Sequence, residues 1–303
     1  MKIRAYCSSA NLGTGFDTVA VALDAFYDEV EVNIEPGNGQ ITTEFYGPFS
    51  ENISLEENTA ALGAKLLLML NNTNVNVNIK VWKGIPLGLG LGGSGATAIA
   101  TVKALSMELD LKIDEMKLAS IAGLSEKAAA GAPHYDNVTA SLLGGLIVIY
   151  NLNPLQALKF YPNGIFVLGI PHVKTPPHKT EIMRAITPKT FSLDLLPQSL
   201  GRMAAFIAGL YTGSLELIGH GMTDNIIEPI RALTVPAYEK LKKYVKEAGA
   251  FGFTISGAGP SVIALTDEEH LKDVISAMSK AYKEENIKAD IIPTKPAPPA
   301  SPV

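Results

Sequence analysis

Apolar residues alternate with polar ones at Val30, Val32 and Ile34, and again at Val75, Val77, Ile79 and Val81. A period of two sets one face of each segment on a core and the other toward water, so both are predicted as half-buried strands. Between them, residues 58–70 carry apolar side chains at helical spacing, and Asn58 is placed to cap the helix start. Residues 94–109, rich in alanine, and residues 114–130 read as two further helices, and Gly145–Tyr150 as a buried strand. Past Pro154 the pattern predicts a strand over 165–170 and a proline-rich turn at Pro176–Pro177. Helices follow over 195–210 and 236–248, strands over 251–256 and 262–265, a helix over 268–285 and a last strand over 289–292. The proline-rich tail 293–303 is expected to be loosely held. The result is an α+β chain without internal repeats, in two halves covering 1–155 and 156–303.

One stretch breaks the pattern. From Gly84 to Val102 nineteen residues carry no charge, close to the length that spans a bilayer, but six are glycine and Pro86 sits near the start. That composition favours a loop feeding a helix. Its densest part runs Pro86, Leu87, Gly88, Leu89, Gly90, Leu91, Gly92, Gly93, Ser94, Gly95, Ala96. Glycines let backbone N–H groups approach an anion, and the following helix offers its positive end, so phosphate is the expected guest. Gly88, Gly90 and Gly93 satisfy G-x-G-x-x-G, yet the second strand with a terminal acid that a dinucleotide fold requires is missing. A Walker A loop needs Lys-Ser/Thr directly after the last glycine, whereas Lys83 precedes the loop.

The register instead resembles the phosphate loop of the GHMP small-molecule kinases, P-x-x-x-G-L-G-S-S-A: Pro86, Gly90, Leu91, Gly92, Ser94 and Ala96 match, while Gly93 stands for a serine and Gly95 for an alanine. Further segments resemble the homoserine kinases within that superfamily. They are Ser8-Ser-Ala-Asn-Leu-Gly-Thr-Gly-Phe-Asp17, then Glu126 with Gly131-Ala-Pro-His-Tyr-Asp-Asn137 and Leu142–Gly145, then Asp224-Asn-Ile-Ile-Glu-Pro-Ile-Arg231, then Phe253–Ser261. The resemblance implies a two-domain fold, with a ribosomal-S5-domain-2-like ATP-binding half and a ferredoxin-like second half. It also implies an ATP-dependent phosphotransferase acting on L-homoserine in threonine biosynthesis.

The same resemblance assigns residues. Asn58 and the stretch Pro86–Ala96 would bind ATP, and Ser94 with Glu126 would hold Mg²⁺. Asn11, Asp17, His134, Thr180, Arg184 and Arg231 would hold the substrate. The chemistry fits an amino acid: a planar guanidinium donates two parallel hydrogen bonds to a carboxylate, and Asp17 can accept from an ammonium. Asn137 would orient the reacting hydroxyl. Asp136 stands where mevalonate kinases carry an aspartate base, and two roles are open to it: base, or support of the loop by hydrogen bonds. Rival readings are a kinase of the same superfamily acting on mevalonate or shikimate, and a sensor that binds ligand and nucleotide without transfer. A homodimer is usual in the family and is expected here.

Composition narrows the classes further. With 25 basic and 30 acidic residues the net charge is −5, and no basic run offers a footprint for nucleic acid. The lone Cys7 cannot form an internal disulfide and reads as a small buried hydrophobe; together with a charged, unapolar start at Met1–Tyr6 it points to the cytoplasm. His172 and His178 lack companions for a zinc site. Of four arginines in the chain, two fall where a substrate carboxylate is expected.

Overall fold

A computed structural model of the chain describes residues 1–50, 58–130, 133–176 and 179–303, with the side chains of 127–130 left aside. The first half is built on β1 (Lys2–Asn11), β2 (Gly15–Pro36), β3 (Ile41–Tyr46), β4 (Val75–Trp82), β5 (Leu146–Leu152) and β6 (Leu155–Phe160). β1 and β4 flank β2 antiparallel, β3 lies parallel to β4, and the first part of β2 also pairs with β5, which pairs with β6. Helices α1 (Thr59–Leu70), α2 (Gly93–Glu108), α3 (Glu115–Ala130) and α4 (Tyr135–Leu143) pack together against it. The alanines of α2 have a structural reason. Ala96, Ala98, Ile99, Ala100, Val102 and Ala104 are all fully buried, because this helix is enclosed by α1, α3, α4 and the sheet. A helix buried all round cannot be amphipathic.

The second sheet runs in the order β10 (Ala289–Thr294), β7 (Ile165–Pro171), β9 (Val262–Thr266) and β8 (Gly252–Ile255), antiparallel throughout. Around it lie α5 (Lys179–Ala185), α6 (Leu196–Thr212), α7 (Leu215–Gly221), α8 (Glu228–Ala232), α9 (Tyr238–Glu247) and α10 (Leu271–Glu284). Helices α9 and α10 each bury one stripe, Leu241 and Val245 on the first, Val274, Met278 and Tyr282 on the second. Among the described residues no helix is long and apolar enough to cross a membrane. The uncharged stretch 84–102 is a loop followed by the first turns of α2.

Three expectations need correction. The segment 30–34 is only the outer part of a strand of 22 residues. Its inner part, Val19–Leu23, is buried on both faces, so it shows no alternation, whereas β1 alternates over Lys2–Cys7 with Ile3, Ala5 and Cys7 turned inward and is buried on both faces only over Cys7–Ala10. The tail is not loose. Ala297 and Ala300 are buried, the Ala297 N–H donates to the Ala22 carbonyl at 2.8 Å, Lys103 Nζ donates to the Ala300 carbonyl at 2.7 Å, and β11 (Ser301–Pro302) pairs with β1. The Lys295 N–H donates to Asp24 Oδ1, the Ala300 N–H to the Leu142 carbonyl and the Val303 N–H to the Lys2 carbonyl, and proline's fixed φ suits the extended path. The halves therefore interlock. β6 still belongs to the first sheet beyond residue 155, and residues 294–303 return to it. Pro177, His178, Gly131 and Ala132, which carried parts of the turn and motif assignments, lie outside the described residues.

Candidate active site

Between β4 and α2 the backbone turns through left-handed glycines, Gly88 at φ +69°, Gly90 at +79° and Gly92 at +65°. Crowding adds to conformation. A Cβ on Gly90 would lie 2.2 Å from the Ser256 carbonyl oxygen. One on Gly92 would lie 2.1 Å from Ser8 Oγ and 2.8 Å from Asn137 Oδ1. The loop is clamped from the second half, where Ser256 Oγ donates to the Gly90 carbonyl at 2.8 Å. Beneath it, Lys83 is buried in an ion pair with Asp28 and donates to Thr97 Oγ1 at 2.8 Å and to the Gly93 carbonyl at 3.1 Å. Asp28 Oδ1 also accepts from the N–H groups of Gly84 and Ile85. This buried network fixes both ends of the loop. Reading the sequence missed it, because Lys83 was tested only against a motif it does not fit. We expect Gly92→Ala to lower stability by about 2–4 kcal/mol, from strain at positive φ plus the clash with Ser8 and Asn137, measurable as a denaturant midpoint shift.

Most assigned residues line one cavity of about 500 Å³, into which both halves project. Leu89, Gly95 and Ala96 do not; Leu89 packs on the core, and Gly95 and Ala96 are buried inside α2. The space beside Gly93 is bounded by Ile85 Cγ2 at 3.2 Å and Lys83 Nζ at 3.6 Å, so the family's serine at this position would face the buried ion pair.

At the start of α2, Ser94 Oγ donates to Glu126 Oε2 on α3 at 2.8 Å. Glu126 is 3% exposed, and its Oε1 is buried with no hydrogen-bond partner. Burial pushes its carboxyl up to about 7, against the pull of the Ser94 hydrogen bond and the Lys83 charge. An orphaned carboxylate oxygen beside a hydroxyl is the hard-oxygen donor set that Mg²⁺ takes, so these residues fit that ion. Asn137 on α4 is held by Ser8, whose Oγ donates to Asn137 Oδ1 at 2.9 Å. Asp136 is 2% exposed, accepts from the Asn137 N–H at 2.8 Å, and is pushed up to about 7 by burial and by the negative charge of Asp17. Asn58 caps α1 by accepting from the Ala61 N–H, and its Nδ2 donates to Thr43.

The opposite end of the cavity is cationic. Arg184 Nη2 donates to both oxygens of Asp17, at 3.1 and 2.9 Å, and to His134 Nε2 at 2.9 Å. In accepting that bond His134 is neutral, in keeping with a pKa lowered to about 4 by burial and by the positive charge of Arg184. Arg231 is 7% exposed; Nη1 donates to the Gly257 carbonyl and Nη2 to Thr187, both at 3.2 Å. Phe16 lies within 5.9 Å of the Arg184 guanidinium and 5.2 Å of the Arg231 guanidinium. The D-x-x-x-E-P-x-R segment divides in two. Asp224 caps α8 by accepting three N–H groups, and the buried Glu228 accepts from Tyr238, Lys242 and Thr254, so both brace the short helix that carries Arg231. Asn11 joins the halves: its Oδ1 accepts from the Asp17 N–H and its Nδ2 donates to the Gly257 carbonyl at 3.0 Å. Asn11, Leu12 and Asp17 all have positive φ, strain of the kind held at functional sites. Cys7 is fully buried, its S–H donates to the Leu23 carbonyl, and burial pushes the thiol up to about 12, so it is inert.

A glycine cradle at a helix start, a carboxylate–hydroxyl pair beside it and an arginine-lined chamber facing both define a site for phosphoryl transfer to a small anionic acceptor. Comparison with known proteins agrees. Residues 58–145 match the GHMP kinases N terminal domain and residues 206–284 the GHMP kinases C terminal domain. A homoserine kinase of Pyrobaculum islandicum is 41% identical over 290 residues, 95% of each chain. A homoserine kinase structure from Cytophaga hutchinsonii superposes with a TM-score of 0.90 at 30% identity, over 99% of this chain and 96% of that one. L. major mevalonate kinase shares the fold, with a TM-score of 0.71 at 16% identity over 98% of this chain and 97% of that one. The chain belongs to the GHMP kinase family, in its homoserine kinase branch. It is an ATP-dependent small-molecule kinase.

Proposed function

We propose that this chain transfers the γ-phosphoryl group of ATP to the hydroxyl of L-homoserine, giving O-phospho-L-homoserine and ADP. The observation that carries this reading is the chamber formed by Arg231, Arg184, Asp17 and His134 facing Ser94 and Glu126 across one cavity. It offers donors for a carboxylate and an acceptor for an ammonium in the same cavity as the phosphate loop. Arg231 binds the carboxylate, with Arg184 beside it. Asp17 exchanges part of its contact with Arg184 for the substrate ammonium. Neutral His134 and Asn11 hold the remaining polar groups, and Thr180 lines the same wall.

The N–H groups of Gly90–Ser94 and the positive end of α2 hold the ATP phosphates, and Asn58 contacts the base. Ser94 and Glu126 would hold Mg²⁺, which would supply neutralisation of phosphate charge. Phosphoryl transfer asks mainly for alignment and charge neutralisation, so Asn137 serves by orienting the hydroxyl in line. Asp136 supports Asn137 through its backbone N–H. With its carboxyl raised toward neutrality it is a poor charge partner, and loop support is the role its contacts favour.

The test is ADP release with Mg·ATP against L-homoserine, mevalonate, shikimate and L-threonine in parallel. Turnover with homoserine well above the others is expected. Turnover with mevalonate instead would move the chain to the neighbouring branch. Tight binding of homoserine and ATP without ADP release would mark a sensor.

A further inference from the structure

Lys179 opens α5 on the wall of this cavity, beside Thr180 and five residues before Arg184. Its Nζ is buried and makes no hydrogen bond. A buried ammonium without a partner is costly, so buried lysines are paired or lose their proton. Burial and the positive charge of Arg231 together lower its pKa to about 7. Arg231 carries the matching deficit: its Nε is also buried without an acceptor, while its two Nη groups are occupied. Two basic side chains thus line one cavity, each with a buried nitrogen that has no acceptor.

The acids around the cavity do not fill that place. Asp17 is held by Arg184, Asp136 accepts from the Asn137 N–H, and Glu126 accepts from Ser94. Neutral His134 contributes no charge. We propose that Lys179 closes with Arg231 on the carboxylate of the substrate, as a binding residue that selects amino-acid acceptors. The inference rests on the homoserine reading of the site. The transferred phosphoryl group is a weaker candidate for this lysine. On the same helix Arg184 bonds Asp17 and His134, which sets Lys179 among the groups assigned to the substrate.

The experiment compares wild type with Lys179→Met on L-homoserine and on L-homoserinamide, which lacks the carboxylate charge. With homoserine we expect KM to rise roughly tenfold or more, the scale of a lost charge-assisted hydrogen bond, with kcat within about threefold and the ATP KM unchanged. With the amide, the two proteins should share one KM. Calorimetry of homoserine binding at pH 8 in buffers of different ionisation enthalpy should show proton uptake in wild type and none in the variant. The melting temperature of Lys179→Met should rise, since a buried amine without a hydrogen-bond partner is removed. An unchanged homoserine KM would overturn the inference, and so would a penalty that persists with the amide, which would assign the lysine to phosphate. If wild type itself fails to phosphorylate homoserine, the proposed function falls as well; a failure confined to the Lys179 comparison sinks this inference alone.

Discussion

Glu126→Gln is expected to lower kcat by about 100-fold or more while leaving the homoserine KM within a few-fold of wild type. The substitution keeps shape and one hydrogen-bond acceptor for Ser94, but removes the negative charge that the unpartnered Oε1 presents beside the phosphate loop. Steady-state kinetics at saturating Mg²⁺ checks it, and an intact kcat would remove Glu126 from the metal site. The same variant gives a second signal. Glu126 holds its proton up to about pH 7 in the fold, against an ordinary value of 4.5. A raised carboxyl contributes stability that is fully present below about pH 4.5 and is lost as pH rises through about 7. Neutral glutamine has no such dependence. The stability of Glu126→Gln relative to wild type should therefore increase from pH 5 to pH 8, by up to about 3 kcal/mol in the absence of ligands. The difference between the two proteins is the useful quantity, because His134 and Lys179, both shifted down, pull the wild-type profile the other way. Catalysis needs the ionised form, so activity should rise with pH over the same window.

Arg231→Lys is expected to raise the homoserine KM by roughly 10- to 100-fold with a much smaller change in kcat. Lysine keeps the charge but loses the planar fork. In this site the fork spans the Gly257 carbonyl and Thr187 while Nε is buried without an acceptor. A single ammonium cannot satisfy these partners and a carboxylate together. Initial rates with varied homoserine at saturating ATP check it. A lowered kcat with unchanged KM would mean that Arg231 acts on the transition state and does not hold the ground-state carboxylate.

The glycine loop, the helix after it and the start of α1 were legible because their signals are local. Glycine density, an asparagine at a helix start and helical spacing each reflect constraints within a few residues. Inner β2 was not legible, since burial on both faces erases the period-two pattern, and β1 gave a weak signal because the small Ala5 and Cys7 fill its inward positions. Helix α4 was missed because it is short and buried nearly all round, from Val138 through Leu143, so no apolar stripe marks it. The tail was misread because proline content signals looseness in isolation, whereas the donors between the prolines find carbonyls some 275 residues away.

By itself the sequence determined the phosphate loop, the class of chemistry and the residue types available to bind an amino acid, because spacing along a chain fixes what a backbone turn and a short helix can present. The tertiary structure alone decided which of those groups meet. It brought Arg231 into one cavity with Asp17 and His134, buried Glu126 with one oxygen unsatisfied, laid Lys83 and Asp28 beneath the loop, and left a nitrogen of Lys179 and one of Arg231 buried without partners. Burial and charge proximity are properties of the packed molecule, and they set the protonation states on which the chemistry depends.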